Sequence, residues 1–231
     1  MLNIRVLHIV SGSVNDGASK GALYLHKYLL KNGVNSKILF QSRKDKEPTK
    51  IKNVYYYKKN YYEKFVYYLY KVIFKIIYNL IFFKSYKFIF TTGLYGINIK
   101  KHKLFKQSDI IHLHSVDNFL SFSSIKSIKK PIVWTIRDKW ILTGGCHVPD
   151  FFNCKKYQSN CEKCDQLKSK IKYDASFFLQ KLKKKFITNN DIVFTSISDH
   201  IKKEFQITYN KKVNRIYNLT DQENFYPENS K

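Results

Sequence analysis

The chain has 231 residues, with 42 Lys and Arg against 17 acids, a formal charge of +25. That length supports one large domain with its own core and is short for two. The charge gives a general attraction to anions, whether phosphate, nucleic acid or an acidic membrane face, without choosing among them.

The opening MLNIRVLHIVSG has Arg5 inside its apolar run and no small-residue cleavage site, so it does not read as a secretory signal. The expected compartment is therefore cytoplasmic and reducing, where four clustered cysteines point to metal or free thiols before disulfides. Residues 4–10 read as a buried strand, followed by a glycine-containing turn and a helix to about residue 30. Ala18, Ala22, Leu25 and Leu29 fall at helical spacing and are expected to face a sheet. Asn32 and Gly33 stop the helix, and 36–41 is a second strand. Further strands are expected at 109–113, 132–136, 192–196 and 213–217, with helices at 121–128, 177–186 and from a Ser198 cap to about 205. The alternation predicts an α/β, Rossmann-like, mostly parallel sheet with helices on both faces.

Residues 55–90 stand apart, crowded with Tyr, Phe, Ile and Lys, with Glu63 their only acid. Phe65, Leu69, Val72, Ile76, Leu80 and Phe83 make one helical stripe, and Lys64, Lys71 and Lys75 a second about a third of a turn away. The lysines argue against a spanning helix. Two readings stay open: a helix packed on the sheet with a solvated lysine edge, or an interfacial helix on anionic lipid.

Candidate chemistry gathers at the ends of the predicted strands. Gly17, just before a helix start, leaves backbone N–H groups free to meet an anion, or is simply a turn glycine. The spacing is not that of a dinucleotide fingerprint. His112 and His114 end one strand. They are read as pointing to opposite faces, one of them structural, with His114 the better site candidate. Arg137 and Asp138 end the next strand, as a surface ion pair or as readers of substrate hydroxyls and phosphate. Trp134 and Trp140, both nearby, are sugar-site aromatics or ordinary core. Cys146, Cys154, Cys161 and Cys164 close with C-x-x-C, a good chelate for a structural Zn²⁺, with His147 a substitute ligand. Reduced, unliganded thiols are the alternative.

An ordered set of segments resembles a known family. It comprises Asp16-Gly17-Ala18-Ser19-Lys20, then DIIHLHSVDNFLS, KPIVWTIRDKWILTGGCH with its trailing cysteines, Thr195-Ser196-Ile197-Ser198, and Ile216-Tyr217-Asn218-Leu219-Thr220 with Phe225-Tyr226-Pro227. This is similar to the amino-terminal domain of family 4 glycosyltransferases of the GT-B fold, in the bacterial exopolysaccharide and lipopolysaccharide branch. The resemblance spans nearly the whole chain and is weakest over 42–90. It departs at the first turn, where Asp16 replaces a glycine and Lys20 stands near a usual Arg, and at position 137, where Arg replaces a common His.

The resemblance implies a retaining enzyme that moves a sugar from a nucleotide-sugar donor to a lipid-linked or polysaccharide acceptor, with no metal required in catalysis. It implies an acceptor-side domain over 1–217, with a basic-aromatic segment at 55–90 and a cysteine loop at 144–165. Residues 218–231 would begin the connection to a donor domain. That domain is marked by Glu-x7-Glu, and the chain is expected to be half an enzyme: an excised fragment, a truncated reading frame or one part of a split protein. Gly17 would let backbone approach phosphate, and Lys20 and Arg137 would offset phosphate charge. Asp138 would bind acceptor hydroxyls, and His114 would stand beside the transferring sugar as the catalytic residue. The expected location is the cytoplasmic face of the plasma membrane, peripheral, on anionic lipid. Two rivals remain: a non-catalytic basic module for an anionic membrane or nucleic acid, with nucleic acid the weaker partner, and an inactive remnant.

Overall fold

The computed structural model describes residues 4–41, 51–81 and 88–220, with the side chains of 74 and 77–81 outside that description. Seven parallel strands form one sheet in the order β3-β2-β1-β4-β5-β6-β7. They are β1 (Arg5–Val10), β2 (Asn35–Phe40), β3 (Val54–Tyr56), β4 (Ile110–Leu113), β5 (Ile132–Ile136), β6 (Val193–Ser196) and β7 (Asn214–Arg215). The helices are α1 (Gly17–Lys31), α2 (Tyr61–Ile81), α3 (Lys103–Lys106), α4 (Phe122–Lys126), α5 (Ala175–Thr188) and α6 (Asp199–Tyr209). The expected Rossmann-like α/β class is the one observed. Order reverses between β1 and β4, the switch point where loops from two strand ends part and open a crevice.

The alternating strand residues divide between two cores. Leu7, Ile9, Ile111, Leu113, Trp134 and Phe194 pack with residues of α3, α4, α5 and α6. Val10, Ile38 and Phe40 pack with Ala22 and Leu23 of α1 on the other face. The buried stripe of α1 is Ser19, Ala22, Leu23 and His26, whereas the predicted Ala18, Leu25 and Leu29 are only half-buried. The helix is rotated because His26 buries with both ring nitrogens bonded, to Ser36 Oγ at 2.7 Å and the Lys52 carbonyl at 2.9 Å. Polar residues with such partners compete for the interior, which an apolar stripe count cannot register.

Boundaries follow local chemistry. Asn32 caps α1 and Gly33 follows at φ +76°, the expected left-handed stop. The Ser198 side chain accepts from Ile201 N and starts α6, and Ser121 and Asp174 do the same for α4 and α5. The last strand is shorter than expected: Ile216 N still donates to the Ser196 carbonyl at 2.8 Å, but Ile216 and Tyr217 lie exposed past the paired residues. The short β3 and α3 carry no periodic signal of their own.

Of the stripe read from Phe65 to Phe83, the described side chains do not form a buried face, and Val72 is only half-buried. Phe65, Leu69 and Ile76 are exposed, and α2 instead rides on Tyr95 through Tyr67 and Tyr70, with ring centroids 5.1 and 5.0 Å away. Phe83, Lys84 and Lys87 lie outside the described residues, as do Phe225, Tyr226 and Pro227.

Glycine separates structural from open positions. A side chain at Gly96 would overlap the backbone of Leu120 and Ser121, whereas one at Gly17 would meet nothing within 4 Å. Gly96→Ala is therefore expected to lower unfolding free energy by roughly 2 kcal/mol or more. Gly17→Ala should leave it within about 0.5 kcal/mol, as at an open surface position. Urea denaturation of the two variants checks the contrast.

Candidate functional site

The carboxyl ends of β4 and β5 deliver His114, Arg137 and Asp138 to one crevice. Arg137 and Asp138 do not pair with each other. The Arg137 guanidinium folds back over α1, donating from Nη1 to Asn218 Oδ1 at 2.7 Å and from Nε and Nη2 to His114 Nδ1 at 3.3 and 3.1 Å. A side chain at Gly21 would collide with that guanidinium, so Gly21 provides its seat. Burial pulls Arg137 down to about 10, still a cation at neutral pH. No carboxylate lies within ion-pair distance among the described residues.

Gly17 sits one turn before Gly21 on the same stripe of α1. Its surroundings are open and its φ is not in the left-handed region, so the turn does not require glycine there; Gly12, at φ +85°, is the turn glycine. Asp16 does not cap α1. Its carboxylate accepts from Ser13 N at 2.8 Å, which leaves the first N–H groups of the helix unoccupied by that side chain. Lys20 is exposed on the same first turn. Of α1, the structure brings Gly21 against Arg137; Gly17 lies one turn nearer the helix start and Lys20 is exposed, neither of them lining the crevice.

His114 is placed differently from expectation. Residues two apart on a strand share a face, so His112 and His114 stack, with centroids 4.3 Å apart, and His8 of β1 joins them. His114 is buried and its carbonyl accepts from Trp134 Nε1. Arg137 can only donate, so His114 Nδ1 accepts and its proton sits on Nε2. That proton points to His8 Nδ1 at 3.0 Å and leaves the His8 proton on Nε2, a buried atom with no hydrogen-bond partner. With both ring nitrogens and the carbonyl engaged, His114 supports Arg137 and presents nothing to a sugar.

The nitrogens of His8, His112 and His114 lie within 4.8 Å of one another, a spacing that fits a metal. The hydrogen bonds argue otherwise. His114 has no nitrogen to spare, its Nδ1 accepting from Arg137 and its Nε2 facing His8 Nδ1 at 3.0 Å. The cation of Arg137 adds repulsion. His8 and His114 form a hydrogen-bonded pair; His112 packs against their rings and bonds separately through Nε2 to Thr135 at 2.8 Å, and Thr135 to Thr195 at 2.8 Å.

Asp138 forms the facing wall. One carboxylate oxygen accepts from Trp140 N at 3.0 Å and the other from His147 Nδ1 at 2.7 Å, and His147 Nε2 meets Thr91 Oγ1 at 2.9 Å. The Thr91–His147–Asp138 chain has the order of a nucleophilic triad, but Thr91 is buried, so the chain orients Asp138. The Asp138 side chain is 44% exposed and keeps lone pairs free for hydroxyl donors. Trp134 and Trp140 are core residues with both indole N–H groups bonded to carbonyls.

The cysteines line one small pocket, yet they form no set of three whose sulfurs lie within 4.8 Å of one another. The tetrahedral zinc arrangement expected from their spacing is not assembled. His147, the substitute ligand, is committed to Asp138 and Thr91. Burial raises the Cys146 and Cys161 thiols to about 12 and Cys164 to about 11. The loop holds together by other means. Gln180 takes Cys161 N at 2.6 Å and donates to the carbonyls of Leu142 and Tyr157 at 3.0 and 2.6 Å, and Tyr157 is itself buried. Beneath it Lys183, fully buried and lowered by burial to about 7, donates to the Trp140 carbonyl at 2.6 Å.

Sequence reading missed His8 and Lys183 and gave Gly21 and Asn218 no role of their own. Gly21 alone left a signal, a glycine inside a helix one turn after another. A scan against protein-family models and a search of curated proteins returned no match.

Two outcomes test this description. Burial lowers His112 to about 4, and His8 and His114 well below their usual value. The unfolded chain then takes protons that the folded state refuses, so stability present above about pH 6.5 is lost as pH falls toward 4. Denaturation midpoints across that range should drop, and less steeply in His112→Gln. Separately, Gln180→Ala strands three buried backbone groups and should cost roughly 2–3 kcal/mol, with proteolysis at 150–170 appearing first.

Proposed function

We propose that this chain is the acceptor side of a retaining GT-B glycosyltransferase, similar to family 4. In this reading it accepts sugar from a nucleotide-sugar donor onto a lipid-linked or polysaccharide acceptor in cell-surface glycan synthesis. It would work at the cytoplasmic face of the plasma membrane as a peripheral protein. Among the described residues no helix is long and apolar enough to cross a membrane.

The observation that carries the reading is Arg137. A half-buried guanidinium bonded only to neutral partners, beside the open stripe at Gly17 and the uncapped start of α1, is built to receive an anion. A diphosphate, of donor or lipid carrier, has the charge and the several acceptor oxygens to use it. Arg137 and the first N–H groups of α1 would offset phosphate charge as the sugar–oxygen bond breaks, an electrostatic contribution prepared in advance. Lys20 would add charge at the rim. Asp138, held at both oxygens, would accept hydrogen bonds from acceptor hydroxyls and orient the attacking one. His114 would fix Arg137. The donor would bind chiefly to a second domain.

Isothermal titration with inorganic pyrophosphate tests the site. Binding to the wild type is expected, weakened about tenfold or more by Arg137→Met, which removes charge-assisted hydrogen bonds. Gly17→Val, which fills the open stripe, should weaken it too, with circular dichroism unchanged. Equal binding by all three proteins, or none by the wild type, overturns the anion site. Incubated alone with nucleotide sugars and a lipid-linked acceptor extract, the chain should show no turnover above blank. Robust transfer overturns the assignment to one side of a two-domain enzyme.

A further inference from the structure

We propose that the outward face of α2 is a docking surface for an anionic lipid bilayer. The proposal deepens the membrane part of the functional reading and is independent of its chemistry.

The helix has three sectors. At about 100° per residue, Glu63, Val66, Tyr67 and Tyr70 lie on the side turned to the protein, where Tyr67 and Tyr70 pack on Tyr95. Nearly opposite, Tyr61, Phe65, Tyr68, Leu69 and Ile76 occupy roughly a 100° arc, and each is exposed, from 40% for Leu69 to 90% for Tyr61. Lys64, Lys71 and Lys75, all exposed, form the third sector along one border of that arc.

Burial makes the outward surface purely basic. Glu63, the one acid of α2, is turned inward, accepting from Tyr57 Oη at 2.7 Å and Asn60 N at 3.0 Å. A continuous apolar and aromatic stripe bordered by unopposed lysines is what an interfacial helix presents, with rings among the acyl chains and ammonium groups at the headgroups. Tyrosine suits that depth because its ring is apolar and its hydroxyl is wet. Charge complementarity selects the occupant. The chain carries +25, so a second copy would be repelled, and a neutral surface would leave the lysine border without a partner. At 21 residues, α2 lies about 30 Å along the surface.

The helix is also joined to the crevice. Tyr70 Oη meets Thr92 Oγ1 at 2.9 Å, and the neighbouring Thr91 holds His147, which holds Asp138. Docking through α2 would therefore set the acceptor wall against the bilayer, where a lipid-borne sugar arrives.

Co-sedimentation with vesicles tests the surface. The wild-type chain should bind phosphatidylcholine vesicles containing phosphatidylglycerol, bind pure phosphatidylcholine weakly, and release at high salt. Replacing Lys64, Lys71 and Lys75 together by Glu should lower partitioning about a hundredfold or more. Phe65→Ser with Ile76→Ser, at exposed positions, should lower it with the fold intact by circular dichroism. Arg137→Met should bind vesicles like the wild type while losing pyrophosphate, which separates failure of this surface from failure of the crevice. Equal binding to neutral and anionic vesicles, no binding to either, or undiminished binding by the lysine variant overturns the proposal. So does self-association in light scattering, or binding of an RNA oligonucleotide or an acidic protein, that these variants abolish while vesicle binding persists.

Discussion

A guanidinium cannot shed its proton at neutral pH, so wherever the fold half-buries one it must surround it with acceptors. Arg137 imposes that constraint here, and a series of other features follows from it. His114 must keep Nδ1 unprotonated, which fixes its tautomer and then that of His8. Position 21 of α1 must lack a side chain, and residues 216–219 must lie where Asn218 can reach across. None of these partners is anionic. The site is left with a positive charge and with helix N–H groups that the Asp16 side chain does not use. This is a preorganised electrostatic arrangement, its cost already met by folding.

The opposite wall is organised by a second set of buried polar contacts. Asp138 is clamped by Trp140 N and His147, and Trp140 is fixed from below by Lys183, whose Nζ lies 3.9 Å from the ring centroid. The cysteine loop lies over the same region. Burial penalises thiolate at Cys146, Cys161 and Cys164, and Gln180, Asp174 and Tyr157 supply the fastening. A run of hydrogen bonds to backbone groups does for this loop what a metal would do in a zinc ribbon.

Between the walls and the outer surface, α2 is unusual in exposing the residues that amphipathic helices bury. Among its described residues, Tyr67 and Tyr70 pack on Tyr95 and Glu63 accepts from the Tyr57 hydroxyl on the inner side. The exposed stripe is tolerable for a protein that finds a lipid surface, and an aggregation hazard for one that does not.

Much of the fold was legible in local pattern. Buried parallel strands are continuous apolar runs, and serine, aspartate and glycine mark helix ends, so β1, β4, β5 and β6 and the caps of α1 and α6 could be placed from sequence. The strand-end position of Arg137 and Asp138 was readable for the same reason. What each residue does there was not. Whether two adjacent charges pair or diverge depends on Gly21 and Asn218, residues 116 and 81 positions from Arg137. Whether four cysteines converge depends on which neighbours reach the loop backbone first, and Gln180 of α5 did. The amphipathic stripe of α2 was visible in periodicity, but periodicity fixes only which residues share a face. Which face meets the protein is decided by what stands beside the helix, and Tyr95 and Thr92 took the tyrosine side.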